Sequence, residues 1–129
     1  MTTLRKYRRR ERTAVVAVRL DLCTDGFAYR KWGAEQRCKP GDWVVDNQGD
    51  VYTIDAASFA RTYERVSPGM YVKTAPVWAE RTDSAGAIRT REGETHYAAG
   101  DYLVYNDAER GDGYAVSADR FHTLYEALD

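Results

Sequence analysis

Apolar and polar positions alternate over residues 13–22, with Val16, Val18, Leu20 and Leu22 on one face and Val15, Ala17, Arg19 and Asp21 on the other. A period of two predicts a half-buried strand. Thr24-Asp25-Gly26 is a turn signal, and residues 27–32 supply a return strand. Lys39-Pro40-Gly41-Asp42 is a second turn, leading into a short apolar strand at 43–45. Asn47-Gln48-Gly49-Asp50 closes a hairpin with residues 51–54. The period then changes. Asp55 stands at an N-cap, and Ala56, Phe59, Ala60 and Tyr63 fall at helical spacing, so a helix is predicted from 56 until the stop at Val66-Ser67-Pro68-Gly69.

The plan then recurs. Residues 71–81 read as extended, Asp83-Ser84-Ala85-Gly86 as a turn, 87–90 as a return strand and 102–104 as a short strand. Ser117 caps a second helix carrying Phe121, Leu124, Tyr125 and Leu128. The residues themselves repeat. Gly41-Asp42-Trp43-Val44-Val45-Asp46-Asn47 returns 59 positions later as Gly100-Asp101-Tyr102-Leu103-Val104-Tyr105-Asn106, with four of seven identical. Tyr52, Ala56, Phe59, Tyr63 and Glu64 answer in spacing to Tyr114, Ala118, Phe121, Tyr125 and Glu126. A fixed internal period decides architecture before any other signal. The expected fold is α+β: a pseudo-twofold tandem of two small antiparallel sheet-plus-helix units in one compact domain. Its divisions are a basic N-terminal arm (1–12), a first unit (13–66) and a second (67–129). The connections are too short for parallel crossovers, and Gly41 and Gly100 sit where a positive φ is expected.

These features resemble a group of small bacterial and phage-borne proteins often called PGDYG-like. The residues carrying the likeness are the basic leader Tyr7-Arg8-Arg9-Arg10, the turns Gly41-Asp42-Trp43 and Gly100-Asp101-Tyr102, and the helices running Phe59 to Tyr63-Glu64 and Phe121 to Tyr125-Glu126. Most such proteins carry the motif once; here it stands twice. The Pro-Cys-Lys-Pro stretch associated with the helix entry is replaced by Thr53-Ile54-Asp55-Ala56. The resemblance implies a bacterial or phage origin and carries no catalytic residue, because the group has no established activity.

Composition narrows the classes further. With 129 residues, 43% hydrophobic and 30% charged, the chain is an ordinary globular sequence, and no apolar run reaches the roughly 20 residues of a membrane span. No signal-peptide core follows the basic N-terminus, and Cys23 and Cys38 form neither a disulfide framework nor a close metal-type pair, so a cytoplasmic location is expected. The net charge of −1 conceals an asymmetry. Arg5, Lys6, Arg8, Arg9, Arg10 and Arg12 stand against Glu11 alone, and of the chain's 19 basic and 20 acidic side chains, 13 and 19 remain beyond residue 12.

Three functions from different classes follow. The first is a non-enzymatic binding or accessory module, motivated by a duplicated architecture with no nucleophile, metal-ligand or phosphate-loop motif; no cofactor and no metal site is expected. The second is a binder of a nucleotide-like anion, using Lys31, Trp32, Trp43, Lys73, Trp78 and Arg91 as an aromatic and cationic cleft. The third is nucleic-acid binding through the six basic residues of the arm, with Tyr7 stacking on a base. Against it, the acidic remainder repels a polyanion. Each candidate also has a bland reading: a solvated arm, core tryptophans with cations at their rim, aspartates at 42 and 101 bonded within their own turns, and asparagines at 47 and 106 as turn formers. An exposed edge strand offers a route to a homodimer.

Overall fold

Strand β2 (Val15–Arg19) turns the opposite face inward from the one its apolar pattern suggests. Val15 and Ala17 are buried, while Val16 and Val18 are 51% and 62% exposed. The reason lies in what covers the strand. Phe59 packs on Val15, Ala17 and Val45, and the small Ala17 leaves room for its ring. The computed structural model describes residues 4–10 and 13–128.

Around β2 the chain runs β1 (Arg5–Arg9), β3 (Phe27–Lys31), β4 (Ala34–Cys38), β5 (Trp43–Asn47), β6 (Asp50–Ile54), α1 (Ala56–Thr62), β7 (Tyr63–Ser67) and β8 (Met70–Lys73). It continues with β9 (Val77–Arg81), β10 (Gly86–Arg89), β11 (Glu94–Tyr97), β12 (Tyr102–Tyr105), β13 (Gly113–Val116), α2 (Ala118–Leu124) and β14 (Tyr125–Ala127). The chain is mostly β-sheet with two short helices, a small β-rich fold that matches the expected α+β only loosely. Both helices stop after seven residues, where Tyr63 and Tyr125 turn extended. The segments after them, read as helical, are strands. Tyr63 and Val66 favour sheets, and the Pro68-Gly69 turn lets β7 pair back on β8.

All strand pairings among the described residues are antiparallel. One five-stranded sheet has the order β6-β5-β2-β8-β7, the other β13-β12-β9-β1-β14, and two further hairpins are β3-β4 and β10-β11. The break at Thr74-Ala75-Pro76 therefore matters. It divides the stretch read as one extended segment into β8, which joins the first sheet beside β2, and β9, which joins the second. The basic segment behaves likewise. Arg5–Arg9 is a strand lodged between β9 and β14, far along the sequence from its own neighbours.

The registers of these two inserted strands correspond. Tyr71 faces Val15 and Lys73 faces Tyr63 in one sheet; Tyr7 faces Val77 and Arg9 faces Tyr125 in the other. Core contacts correspond too. Phe59 stacks on Trp43 and Tyr63 with Tyr71 edge-on, and Phe121 stacks on Tyr102 and Tyr125 with Tyr7 edge-on.

The Gly-Asp turns hold the helices to the sheets. Gly41 and Gly100 have φ of 90° and 94°, the left-handed region that favours glycine. Asp42 accepts from the backbone N–H groups of Lys39 (2.9 Å) and Ala56 (3.0 Å), and Asp101 from those of Ala98 (2.9 Å) and Ala118 (3.3 Å). Each carboxylate thus ties its turn to the first residue of the following helix. Asp55 and Ser117 cap those helices as their positions predict, accepting from Ser58 N and Arg120 N. No helix of the described residues is long and apolar enough to cross a membrane.

Candidate functional site

The register that inserts β1 and β8 also aims Arg9 and Lys73 into one space. A cavity of about 250 Å³ is lined from both five-stranded sheets, both helices and the two hairpins. Tyr52 on β6, Tyr63 at the head of β7, Tyr114 on β13 and Tyr125 at the head of β14 give it four phenol rings. Trp32 and His96 contribute from the hairpins, which meet through His96 N–H donating to the Trp32 carbonyl at 3.0 Å.

Lys73 is 7% exposed. Its Nζ donates to Asn106 Oδ1 at 3.2 Å and to Tyr114 OH at 2.9 Å, and Tyr114 OH lies 3.2 Å from Tyr125 OH. The Arg9 guanidinium sits 5.2 Å from the Tyr125 ring centroid, and its buried Nε has no hydrogen-bond partner among the described residues. Among the described residues neither cation has a carboxylate within ion-pair distance.

The acids that line the cavity are engaged elsewhere. Asp112 accepts from Ser58 Oγ (2.5 Å), Arg61 Nη2 (3.0 Å) and Asn106 Nδ2 (3.2 Å), and Arg91 Nε lies 3.3 Å away. Asp50 is held by Lys31 at 2.8 Å and Arg120 at 3.1 Å. Asp101 serves its turn. What remains is a walled space with two cations and a chain of hydroxyls.

Titration follows from that arrangement. Burial and the charge of Arg9 draw the Lys73 ammonium below the ordinary lysine value, against the opposing pull of Tyr125. Burial alone would push the Tyr125 hydroxyl up, but Lys73, Arg9 and a hydrogen bond from Tyr114 overcome it and hold Tyr125 below an ordinary tyrosine. Burial pushes Tyr114 the other way. Lys73, Tyr114 and Tyr125 thus form one hydrogen-bonded chain of titratable groups.

Glu92 sits at the cavity wall on the β10-β11 hairpin and accepts the N–H of Asp55, the cap of α1, at 2.8 Å. Burial, helped by the charges of Asp55 and Asp112 and opposed by that hydrogen bond and by Lys39, raises its carboxyl to about 7. Since the folded value lies above the unfolded one, ionising Glu92 costs stability as pH rises from about 4.5 to 7. Glu92→Gln keeps an oxygen to accept the Asp55 N–H and removes the charge. Denaturant titration should show the variant more stable than wild type at pH 8, on the order of 3 kcal/mol at most, with the difference vanishing by pH 4. An equal gap at both pH values would mean that packing, not charge, is responsible.

The residues singled out by sequence are dispersed. Lys73 is central and Trp32 lines the cavity with its ring 5.9 Å from Tyr52. Lys31 stands beside Trp32 but is bound to Asp50. Trp43 stacks 4.2 Å from Phe59 in the core, Trp78 carries Lys6 over its ring at 5.4 Å on the second sheet, and Arg91 pairs with Asp55 and Asp112. They do not form one cleft.

Of the basic segment, Arg9 faces the cavity, Arg8 approaches Glu126 at 3.6 Å, Arg5 lies over Tyr7, and Arg10 Nε donates to the His122 carbonyl at 2.7 Å. Arg12 lies outside the described residues. Asn106, read as a turn former, instead bridges Lys73 to Asp112. Sequence reading missed the site use of Arg9, Tyr52, Tyr63, Tyr114 and Tyr125. A usable signal was present: Tyr7-Arg8-Arg9 and Tyr71-Val72-Lys73 place a cation two residues after an equivalent tyrosine. No protein family, curated protein or solved structure matches the chain.

Proposed function

We propose that the protein is a small binding module that takes a small organic anion into the cavity between its two sheets. The observation that supports this reading is the pair of a half-buried Arg9 and a buried Lys73, two cations in one cavity with no carboxylate in ion-pair reach among the described residues. Burying a charge unpaired is costly, and an anion between them offsets that cost. Four tyrosines offer hydroxyls to the anion's oxygens and ring faces to its flat portion.

Size selects within the class. At about 250 Å³ the cavity is below the 300–1,000 Å³ usual for drug-sized ligands, so a compact metabolite fits better than a full nucleotide. Nucleic-acid binding is less favoured, because β1 spends Arg9 inward, Arg8 on Glu126 and Lys6 on Trp78. In the same reading the chain is a tandem of two PGDYG-like units related by a pseudo-twofold, each lending its leading strand to the other's sheet. The corresponding strand orders and registers support it.

The test is thermal denaturation with small carboxylates and inorganic phosphate at constant ionic strength. A ligand at a hundred times its Kd adds about 2.7 kcal/mol, on the order of 10 °C for a chain of this size. Arg9→Gln and Lys73→Gln should each lose most of that rise. A rise no larger than sodium chloride gives, or one untouched by both substitutions, would sink the proposal.

A further inference from the structure

Arg9 and Lys73 occupy register-equivalent positions, opposite Tyr125 and Tyr63 respectively, yet one is a guanidinium and the other an amine. The two groups do different chemistry. A guanidinium stays charged under all ordinary conditions and forks onto a carboxylate, whereas a buried amine gives up its proton and becomes a nucleophile. Resting on the anion-binding reading, we infer that Lys73 is a carbonyl-capturing amine, and that the cavity takes a small 2-oxo or aldehyde acid whose carboxylate sits on Arg9 while its carbonyl carbon forms an imine with Lys73 Nζ.

Four observations carry this. First, of the chain's four lysines only Lys73 is buried, and among the described residues it has no carboxylate in ion-pair reach. Lys31 is bound to Asp50 at 2.8 Å, Lys39 to Asp42 at 2.9 Å and Asp55 at 3.3 Å, and Lys6 lies exposed over Trp78. Second, the partners of Lys73 Nζ are an amide oxygen and a phenol, so its proton has a path out through Tyr114 OH at 2.9 Å to Tyr125 OH, 3.2 Å further on. Third, among the described residues Arg9 Nε is buried without a hydrogen-bond partner, in the same cavity and beside the same Tyr125 ring that Lys73 approaches. Fourth, burial and the neighbouring guanidinium favour the neutral amine.

The step balances within the site. The lone pair of Nζ attacks the carbonyl carbon and the carbonyl oxygen takes a proton, giving a carbinolamine. Nitrogen then loses its remaining proton to the phenol chain while the hydroxyl leaves as water, so that amine plus carbonyl become imine plus water with no change of oxidation state. The carboxylate stays on Arg9 throughout, which holds the carbonyl near the amine.

The experiment traps the imine. The full chain is incubated near neutral pH with glyoxylate, pyruvate or 2-oxoglutarate and sodium cyanoborohydride, which reduces an imine to a stable secondary amine, and the modified lysines are identified by peptide mapping. Lys73 should be labelled at least about tenfold faster than Lys6, Lys31 and Lys39, as expected for an amine activated by desolvation in an enclosed pocket. The three other lysines are controls within one folded molecule. Lys73→Arg should lose that adduct while retaining the circular dichroism spectrum of the wild type. Labelling confined to the other lysines, or absent with all three acids, overturns the inference. Thermal stabilisation by the same acids separates the two failures: stabilisation without an adduct leaves anion binding standing, and neither effect removes both.

Discussion

Phe121→Ala should lower the unfolding free energy by about 3–5 kcal/mol, and Phe59→Ala by a similar amount. Both rings are at most 2% exposed. Phe121 packs on Val77, Ala79 and Val104, with Tyr102 stacked at 4.0 Å, Tyr7 edge-on at 4.8 Å and Tyr125 at 5.1 Å. Phe59 packs on Val15, Ala17 and Val45, with Trp43 at 4.2 Å, Tyr63 at 4.6 Å and Tyr71 at 5.1 Å. Removing either ring loses its transfer free energy, leaves a void that a closed aromatic cluster fills poorly, and forfeits about 0.5–1.5 kcal/mol for each well-oriented aromatic pair.

The consequence reaches the cavity. Tyr7 and Tyr71 lie on the strands that carry Arg9 and Lys73 two residues later, and Tyr125 and Tyr63 line the space itself. Each Phe therefore backs both a cation-bearing strand and a phenol. Urea denaturation monitored by tryptophan fluorescence measures the loss, and anion-induced stabilisation of the same variants should shrink with it. A midpoint indifferent to both substitutions would refute the view that the two aromatic clusters are the cores.

Much of this was legible before any coordinates. The turns at Gly41 and Gly100, the capped helix starts at Asp55 and Ser117, and the burial of Phe59 and Phe121 all follow from local rules: positive φ, N-cap chemistry and helical spacing. What local rules miss is partner choice. Whether β8 pairs beside β2 or beside β9 is a contest between two sheets, and nothing in Met70-Tyr71-Val72-Lys73 alone decides it. The same holds for the basic segment, whose charges suggested a solvated arm. Tyr7 is the apolar anchor that seats it against Phe121, and the charged side chains then divide between the outer face and the cavity. The site was hidden for the same reason. Lys73 stood out as a cation near aromatics, but its companions Arg9, Tyr114 and Tyr125 come from strands far apart in sequence. Trp43 and Trp78, the more conspicuous residues, serve packing and a surface cation instead.

Lys73→Met should raise the stability of the ligand-free protein while abolishing its response to anions. Wild-type Lys73 holds an amine at 7% exposure with only neutral partners, Asn106 and Tyr114. Replacing even a buried ion pair with apolar side chains of similar volume is often neutral or stabilising by about 1–4 kcal/mol, and the Lys73 amine has no ion-pair partner among the described residues to offset its desolvation. Here Asn106 Oδ1 and Tyr114 OH each lose a donor, at roughly 1 kcal/mol apiece. Tyr114 keeps Tyr125, and Asn106 keeps Asp112. A net gain of at most about 2 kcal/mol near neutral pH is therefore expected. Its pH dependence distinguishes charge from packing. The folded amine releases its proton at lower pH than the unfolded one, so the unfolded chain binds more protons over that interval and wild-type stability rises with pH. The advantage of the variant should then narrow toward pH 10, as the unfolded lysine also discharges. Denaturant titrations at pH 7 and pH 9.5, with and without a small carboxylate, measure both effects. If the variant were less stable at both pH values yet still stabilised by the carboxylate, Lys73 would be a structural donor and the cavity would owe its anion affinity to other groups. If it gains stability and loses the response, the protein keeps a destabilising amine at its centre because the ligand requires it.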